Sequence, residues 1–222
     1  WQGLAKCGVP GEIVVADNGS TDASAQIAQQ LGARVVHQPI RGYGSAYLKG
    51  IREARGRYIV IGDSDGSHDF NEIDRFLEPL RQGYDIVVGS RYNSNLQPGG
   101  IPRISRYIGN PLLTGILNLF FHAGVSDVYC GFRAFTRESF DRIQLRTRGM
   151  EFALEMIVKA AKANLSMTEV PVTCYPRQGG ERKLRIFRDG WRSLRFMLLY
   201  SPNWLFLVPG ALMMLLGTIL LV

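Results

Sequence analysis

Apolar and polar residues alternate in two rhythms along the first two-thirds of the chain. Short runs rich in β-branched residues fall over residues 12–16, 33–37, 57–62 and 85–89, and the stretches between them, 22–31, 43–54 and 71–82, carry apolar residues at helical spacing. Strands alternating with helices predict an α/β fold, a mostly parallel sheet with flanking helices. Ser20 or Asp22 can cap the first helix, and Gly42 and Gly44 loosen the loop before the second. A further amphipathic helix is predicted over 150–164, where Phe152, Leu154, Ile157 and Ala161 need only a packing explanation, followed by a final strand over 166–175. Residues 91–102 are rich in Asn, Gln, Pro and Gly, which predicts a mobile loop. Residues 107–124 are strongly apolar but are interrupted by Asn110, Pro111 and Asn118, the pattern of an interfacial or core helix.

From Phe196 onward there is no Asp, Glu, Lys, Arg or His. Residues 204–222 would span roughly 28 Å as a helix, close to the hydrocarbon core of a bilayer. A membrane helix is therefore predicted; its position excludes a secretory signal peptide. The chain starts without Met and stops inside this apolar run, so it is read as a piece of a longer protein whose further membrane helices are unseen.

The formal net charge is +7, and it is uneven. Arg177, Arg182, Lys183, Arg185, Arg188, Arg192 and Arg195 crowd the segment before the apolar run. Basic residues beside a membrane helix predict that this side faces the cytoplasm, at the inner or cell membrane, and would attract anionic head groups or a lipid phosphate. No nucleic-acid-binding motif accompanies the charge, so nucleic acid is not expected as a partner. Cys7, Cys130 and Cys174 have no paired metal spacing and are odd in number, which fits a reducing compartment and ordinary packing. There is no internal repeat.

The sharpest local feature is the run from Ile59 to His68, IVIGDSDGSH. A buried strand ending in Asp63 and Asp65 puts two carboxylates at the carboxyl edge of a sheet, where open α/β folds bind ligands. Strand residues two apart point the same way, so both can address one ion. Hard oxygen ligands suit Mg²⁺ or Mn²⁺, with diphosphate oxygens completing the shell. Taken alone the motif reads more readily as a solvated Asp/Ser/Gly turn. A calcium EF-hand loop fails, because its glycine belongs at the sixth position and Gly66 is fourth. A second strand, VVAD from Val14, runs into the turn Asn18-Gly19-Ser20-Thr21-Asp22 and a helix start, offering a carboxylate and backbone N–H groups to a nucleotide.

The order DNGSTD, RGYGSAYLKGI, DSD, GSR at residues 89–91, GFRAF at 131–135 and a basic KLR segment before a membrane helix resembles the GT-A-fold family 2 glycosyltransferases of the dolichol- or polyprenyl-phosphate sugar synthase type. The resemblance covers the chain from about Glu12 to its end. It implies an inverting transfer of a hexose from a nucleotide-sugar, GDP-mannose or a UDP-sugar, to a polyprenyl phosphate, dependent on Mg²⁺ or Mn²⁺. It implies that Asp17 and Asp22 serve the nucleotide, that Asp63 and Asp65 hold metal and diphosphate, and that Asp65 and Arg91 are the residues on which turnover depends. Arg91, Arg103, Ser105, Arg106 and Arg133 would receive the acceptor phosphate, and Arg177 and Lys183 would close over the diphosphates; arginine suits this by binding phosphate through two hydrogen bonds. The chain departs from the family at Ser67, where an amide side chain is common, and at its front, where the family has an apolar strand and this chain has what reads as the tail of the following helix. The implied organisation is a catalytic domain over 1–175, a basic amphipathic juxtamembrane segment over 176–200 and a truncated transmembrane helix over 201–222. Self-association stays open.

A lipid monophosphate is already anionic near neutral pH and needs no general base. His37, His122 and His68 are the only histidines, and only His68 adjoins the carboxylate turn, in a direct or a supporting role. Asp127 would position the acceptor or hold Arg133. The alternatives are a transferase of the same fold with a glycan or protein acceptor, against which the lack of a clear Glu-Asp pair argues; a nucleotidyltransferase; and a nucleotide-binding membrane scaffold without turnover.

Overall fold

A computed structural model describes residues 1–92, 101–177 and 186–221. Most of the stretch predicted as a loop, together with Arg182, Lys183 and Arg185, lies outside the described residues.

The strands are β1 (Val14–Asp17), β2 (Arg34–His37), β3 (Tyr58–Ile61), β4 (Ile86–Ser90), β5 (Arg133–Thr136) and β6 (Met167–Pro171). β1 and β2 form a parallel pair, while the other four form a sheet in the order β3-β5-β4-β6. β4 and β6 are parallel, and β5 runs against both β3 and β4. β3, β4 and β6 therefore share one direction and β5 alone is reversed. The reversal has a geometric consequence: the carboxyl ends of β3 and β4 and the start of β5 meet at one edge, with Ile61 opposite Arg133. That places the GFRAF segment beside the DSD turn. β5 and the short helix after it were not anticipated, because an arginine inside a buried four-residue strand hides the expected alternation.

Helices α1 (Gln2–Lys6), α2 (Ser24–Gln30), α3 (Tyr43–Glu53), α4 (Ile73–Arg81), α5 (Asn110–Phe121), α6 (Arg137–Ile143), α7 (Phe152–Lys162), α8 (Ile186–Tyr200) and α9 (Val208–Leu221) cover and extend the sheets. β4 is buried at every position, as a continuous IVVGS run through the middle of a sheet should be. One core joins α3, α5 and α7 around Ile86, Leu117, Phe135, Phe152 and Ile157; the other joins α4 to the opposite side through Phe76, Val87, Phe132 and Val172. The final strand is shorter than predicted because Pro171 cannot continue the ladder as a donor. The chain nevertheless pairs once more, Cys174 bridging His68 and the Tyr175 N–H donating to the Ser67 carbonyl at 3.0 Å.

The apolar stretch after Ile101 is a π-helical turn, Ser105–Gly109, leading into α5. Leu117 is buried, whereas Tyr107, Ile108 and Leu112 are exposed. At the far end, Asn203–Leu220 is long and apolar enough to cross a membrane, with a mean hydropathy of 1.8 and none of it buried.

One polar group organises the helical layer. Glu155 on α7 is fully buried and accepts from the Arg146 and Thr147 backbone N–H groups, at 3.0 and 2.8 Å, and from the Thr147 hydroxyl at 2.6 Å, while Lys159 pairs with it at 2.6 Å. Burial pushes its carboxyl up, but Lys159 and Thr147 outweigh this and hold it below the usual glutamate range. A carboxyl depressed in the folded state adds stability above the ordinary glutamate pKa of about 4.3 that is lost as pH falls. Glu155→Gln is expected to lower stability by about 2–4 kcal/mol and to flatten the acid limb of a urea-midpoint-against-pH curve. An unchanged midpoint and acid limb would mean that these bonds do not hold the loop.

Candidate functional site

β3 ends at Ile61, and Gly62 leads into Asp63. Gly62 has no room for a side chain: a Cβ there would meet the Phe70 ring at 2.9 Å. Asp63 is fixed from three directions. The Tyr47 hydroxyl on α3 donates to Oδ1 at 2.7 Å, His68 Nε2 lies 3.9 Å from Oδ2, and Gly131, just before β5, passes so close that a Cβ would stand 3.0 Å from Oδ2. Asp65 accepts from the Ser67 N–H at 3.0 Å and the Ser67 hydroxyl at 2.5 Å through Oδ1, and from Arg177 Nε at 2.8 Å through Oδ2. Burial raises the Asp65 pKa, but the Ser67 and Arg177 contacts outweigh it, so the carboxylate stays charged well below neutral pH. Ser67, where the family often has an amide, is thus bonded to the carboxylate it follows. Arg177 reaches Asp65 because the chain beyond β6 pairs back onto the carboxylate turn through Tyr175.

His68 is 8 % exposed and stacks on Phe132 at 5.2 Å. Burial lowers its pKa against the pull of Asp63, which favours the neutral ring. Its Nδ1 is buried with no hydrogen-bond partner among the described residues.

The turn after β1 is built differently. Asp17 accepts from the Ser20 N–H at 3.0 Å and faces His37 Nδ1 at 3.1 Å; the Ser20 bonds first, then His37, hold its pKa at about 2. Asn18 donates to the Gln38 and Ile40 carbonyls and accepts from the Gly42 N–H at 2.7 Å, which ties the turn to the start of α3. Asp22 accepts from the Ser24 N–H at 3.0 Å, a local turn just ahead of α2, whose N-cap position is Ala23 and carries no side-chain cap. α3 itself is seated by carbonyls of the 147–149 loop: Gly44 N–H donates to Gly149 and Ser45 N–H to Arg148. A Cβ on Gly42 or Gly44 would approach the carbonyl of Arg148 or Thr147 to 2.3 Å, so both positions require glycine.

Two arginines differ from expectation. Arg133 is 1 % exposed and donates to the carbonyls of Cys130 (2.8 Å), Ala153 (2.5 Å) and Val128 (2.5 Å). Sealed in this way, it clamps β5 to α7 and is not open to an acceptor phosphate. Asp127 holds Arg91 instead of Arg133: its carboxylate is fully buried and takes Arg91 Nε at 2.6 Å and Nη2 at 2.8 Å. Arg103, Ser105 and Arg106 sit at the start of the helix leading into α5 and make no hydrogen bond or ion pair with Asp63 or Asp65. Lys183 is outside the described residues. Tyr43, Tyr47 and Asn18 were missed by sequence reading; the two tyrosines register there only as apolar helix positions, since nothing in a sequence says where a hydroxyl ends.

No group of three or more His, Cys, Asp or Glu that could hold a metal occurs among the described residues. Two hard carboxylates on one turn, one of them already facing a cation, fit a divalent ion only if ligand oxygens complete its shell.

This fold and turn define a GT-A-like α/β protein with a strand-end carboxylate pair. The model of glycosyl transferase family 2 matches residues 9–144, and the chain belongs to that family. It is 44 % identical over 213 residues to the low-salt glycan biosynthesis hexosyltransferase of Haloferax volcanii, covering 96 % of this chain and 51 % of that protein, so the chain spans about half that relative's length. It is 30 % identical to the dolichyl-phosphate hexose transferase of the same organism, covering 80 % of this chain and 75 % of that one. It is likewise 30 % identical to the polyprenol monophosphomannose synthase of Mycolicibacterium smegmatis, over 78 % and 69 %. Among solved structures it is similar in fold to glucosyl-3-phosphoglycerate synthase from Mycobacterium tuberculosis in complex with Mn²⁺, UDP and glucosyl-3-phosphoglycerate, with a TM-score of 0.67, 22 % identity and coverage of 90 % and 75 %.

Removing the Tyr47 hydroxyl by Tyr47→Phe should leave the unfolding midpoint in place, because the ring keeps its stacking on Phe152 at 5.4 Å, and should weaken Mn²⁺ binding in the presence of nucleoside diphosphate by about tenfold. Unchanged Mn²⁺ affinity, read by electron paramagnetic resonance, would remove Tyr47 from the site.

Proposed function

We propose that the chain is the catalytic portion of a membrane-bound inverting glycosyltransferase that moves a hexose from a nucleotide-sugar to a polyprenyl phosphate. The observation that carries this reading is the strand-end turn of Asp63 and Asp65, with Arg177 resting on Asp65. Support for the acceptor comes from relatives named as a dolichyl-phosphate hexose transferase and a polyprenol monophosphomannose synthase. Support for the donor and metal comes from the structural neighbour that holds Mn²⁺ and UDP.

In this reading residues 1–175 form the catalytic domain, 176–200 the basic juxtamembrane segment, and 201–222 enter the membrane, with the catalytic side cytoplasmic. Asp17 and Asn18 fix the turn against which the nucleotide lies, and Asp22, at the end of that turn, serves the nucleotide with them. Asp63 and Asp65 hold Mg²⁺ or Mn²⁺ together with the diphosphate. Bound there, the ion would neutralise charge developing on the leaving nucleoside diphosphate. Arg177 releases Asp65 and turns to the diphosphate, with Lys183 from the same segment, since a guanidinium that pairs with a carboxylate pairs equally well with phosphate. Arg91, braced by Asp127, faces the acceptor side with Arg103, Ser105 and Arg106.

An acceptor phosphate oxygen attacks the anomeric carbon, the new C–O bond forms as the bond to the diphosphate breaks, and the leaving group departs with the electron pair. The acceptor is already an anion, so no proton has to be removed. Alignment and electrostatics supply the rate.

The test uses membranes carrying the protein, polyprenyl phosphate, Mn²⁺ and labelled UDP- and GDP-sugars, followed by organic extraction. Label from one donor should enter the organic phase and vanish with chelator, and Asp65→Asn should abolish it while the extracted protein stays folded. No label from any donor despite metal-dependent nucleotide binding would overturn the lipid acceptor; full activity of Asp65→Asn would overturn the metal assignment.

A further inference from the structure

Away from the carboxylate turn, the ends of α6, α7 and α8 converge on a shallow pocket of about 480 Å³ lined by Arg142, Gln144, Arg146, Lys159, Lys162 and Tyr200 among others. Helix C-termini gather carbonyls, and three of the cations answer them: Lys159 Nζ donates to the Gln144 carbonyl at 2.7 Å, Lys162 Nζ to that of Tyr200 at 3.1 Å, and Arg142 Nη2 to that of Ala163 at 3.4 Å. Capping alone would explain those three. It does not explain Arg146, whose exposed guanidinium makes no hydrogen bond or ion pair among the described residues; only its backbone N–H is engaged, by Glu155. Nor does it balance the charge. Four cations face two carboxylates, Glu155, which is buried and held by backbone N–H groups as well as Lys159, and Asp85, which lies within reach of the Arg142 charge. Three helix ends contribute roughly half a negative charge each, which leaves the pocket positive.

The pocket's place in the chain decides what anion it would meet. Tyr200 ends α8, and the apolar span starts at Asn203, so at most about 11 Å of chain separates them. The polar layer of a bilayer is of the order of 5–8 Å deep on each side of its hydrocarbon core. Trp204, stacked on Phe120 at 4.9 Å, is the second residue of that span, where an aromatic suits the belt at a membrane interface. The pocket is separate from the carboxylate turn: Phe152, which stacks on Tyr47, and Lys162 lie at opposite ends of α7, about 15 Å apart along its axis.

We propose that this pocket is a seat for the phosphate of an anionic phospholipid of the surrounding bilayer, distinct from the acceptor site. This rests on the reading that the span from Asn203 enters the membrane, but not on the transfer reaction. Arg146 would be the principal ligand, with Arg142 and Lys162 exchanging carbonyls for phosphate oxygens and the Tyr200 ring, 5.8 Å from Lys162 Nζ, forming one wall.

The whole chain is inserted into bilayer nanodiscs of phosphatidylcholine with a minority of phosphatidylglycerol, extracted with its retained lipid, and the two lipids are counted by mass spectrometry. Wild type should retain phosphatidylglycerol over phosphatidylcholine, and the exposed double change Arg142→Gln/Arg146→Gln should cut that preference about five- to tenfold, whereas Arg188→Gln/Arg195→Gln, equal in charge and beside the span but outside the pocket, should lower it clearly less. Equal loss in both doubles, or no preference in wild type, overturns the seat. Displacement of the lipid by millimolar inorganic phosphate would make it a soluble-anion site and overturn the lipid assignment, and displacement by polyprenyl phosphate would make it part of the acceptor path. Failure to enter phosphatidylcholine nanodiscs would refute the membrane reading itself.

Discussion

Two carboxylates placed one residue apart at the end of a buried strand repel each other and lose water, and the arrangement persists only if each is given partners. Two of those partners come from far along the chain. Tyr47 arrives on α3, His68 from the turn itself, and Arg177 from the segment beyond β6. β5, inserted in reverse between β3 and β4, brings Gly131 against Asp63, so close that a Cβ there would press on the carboxylate and the Tyr43 hydroxyl at 3.0 and 3.1 Å. The geometry of the turn is therefore a property of the whole domain and not of the short motif.

The support continues outward in layers. Tyr47 is aimed by α3, whose first turn has no side-chain cap and is seated by the Arg148 and Gly149 carbonyls. Those carbonyls are fixed because Glu155 grips the N–H groups of Arg146 and Thr147. Arg133 joins the same helix to β5 through three carbonyls. A buried cation and a buried anion, neither touching a ligand, thus set the position of residues that would. Both are costly groups to bury, and each nitrogen of Arg133 and both oxygens of Glu155 have a hydrogen-bond partner, the condition under which such burial is tolerated.

The main strands and helices were legible within a few residues because they are long runs with one period each, and the apolar C-terminal helix because it lacks charge. The carboxylate pair was legible from its place after IVIG. β5 and α6 were not: four buried residues containing Arg133 show no alternation, and GFRAF draws attention as a motif before it is read as a strand. Arg133 was read as a phosphate ligand because a sequence cannot show that backbone carbonyls surround a guanidinium. For the same reason the Asp127–Arg91 pair was not legible, and of the two roles open to Asp127 the one of holding Arg133 gives way to Arg91. Tyr43 and Tyr47 read as apolar positions on α3, which they are, and their hydroxyls became meaningful only with Asp63 beside them.

A metal–diphosphate site at the Asp63–Asp65 turn makes nucleotide affinity depend on the metal. Calorimetric titration of the purified protein with UDP and GDP, in Mn²⁺ and in chelator, reads this dependence without requiring turnover, acceptor or membrane. Mn²⁺ should lower the Kd of at least one of them by about tenfold or more, the size of one charge-assisted contact. Equal affinity with and without the metal would contradict it.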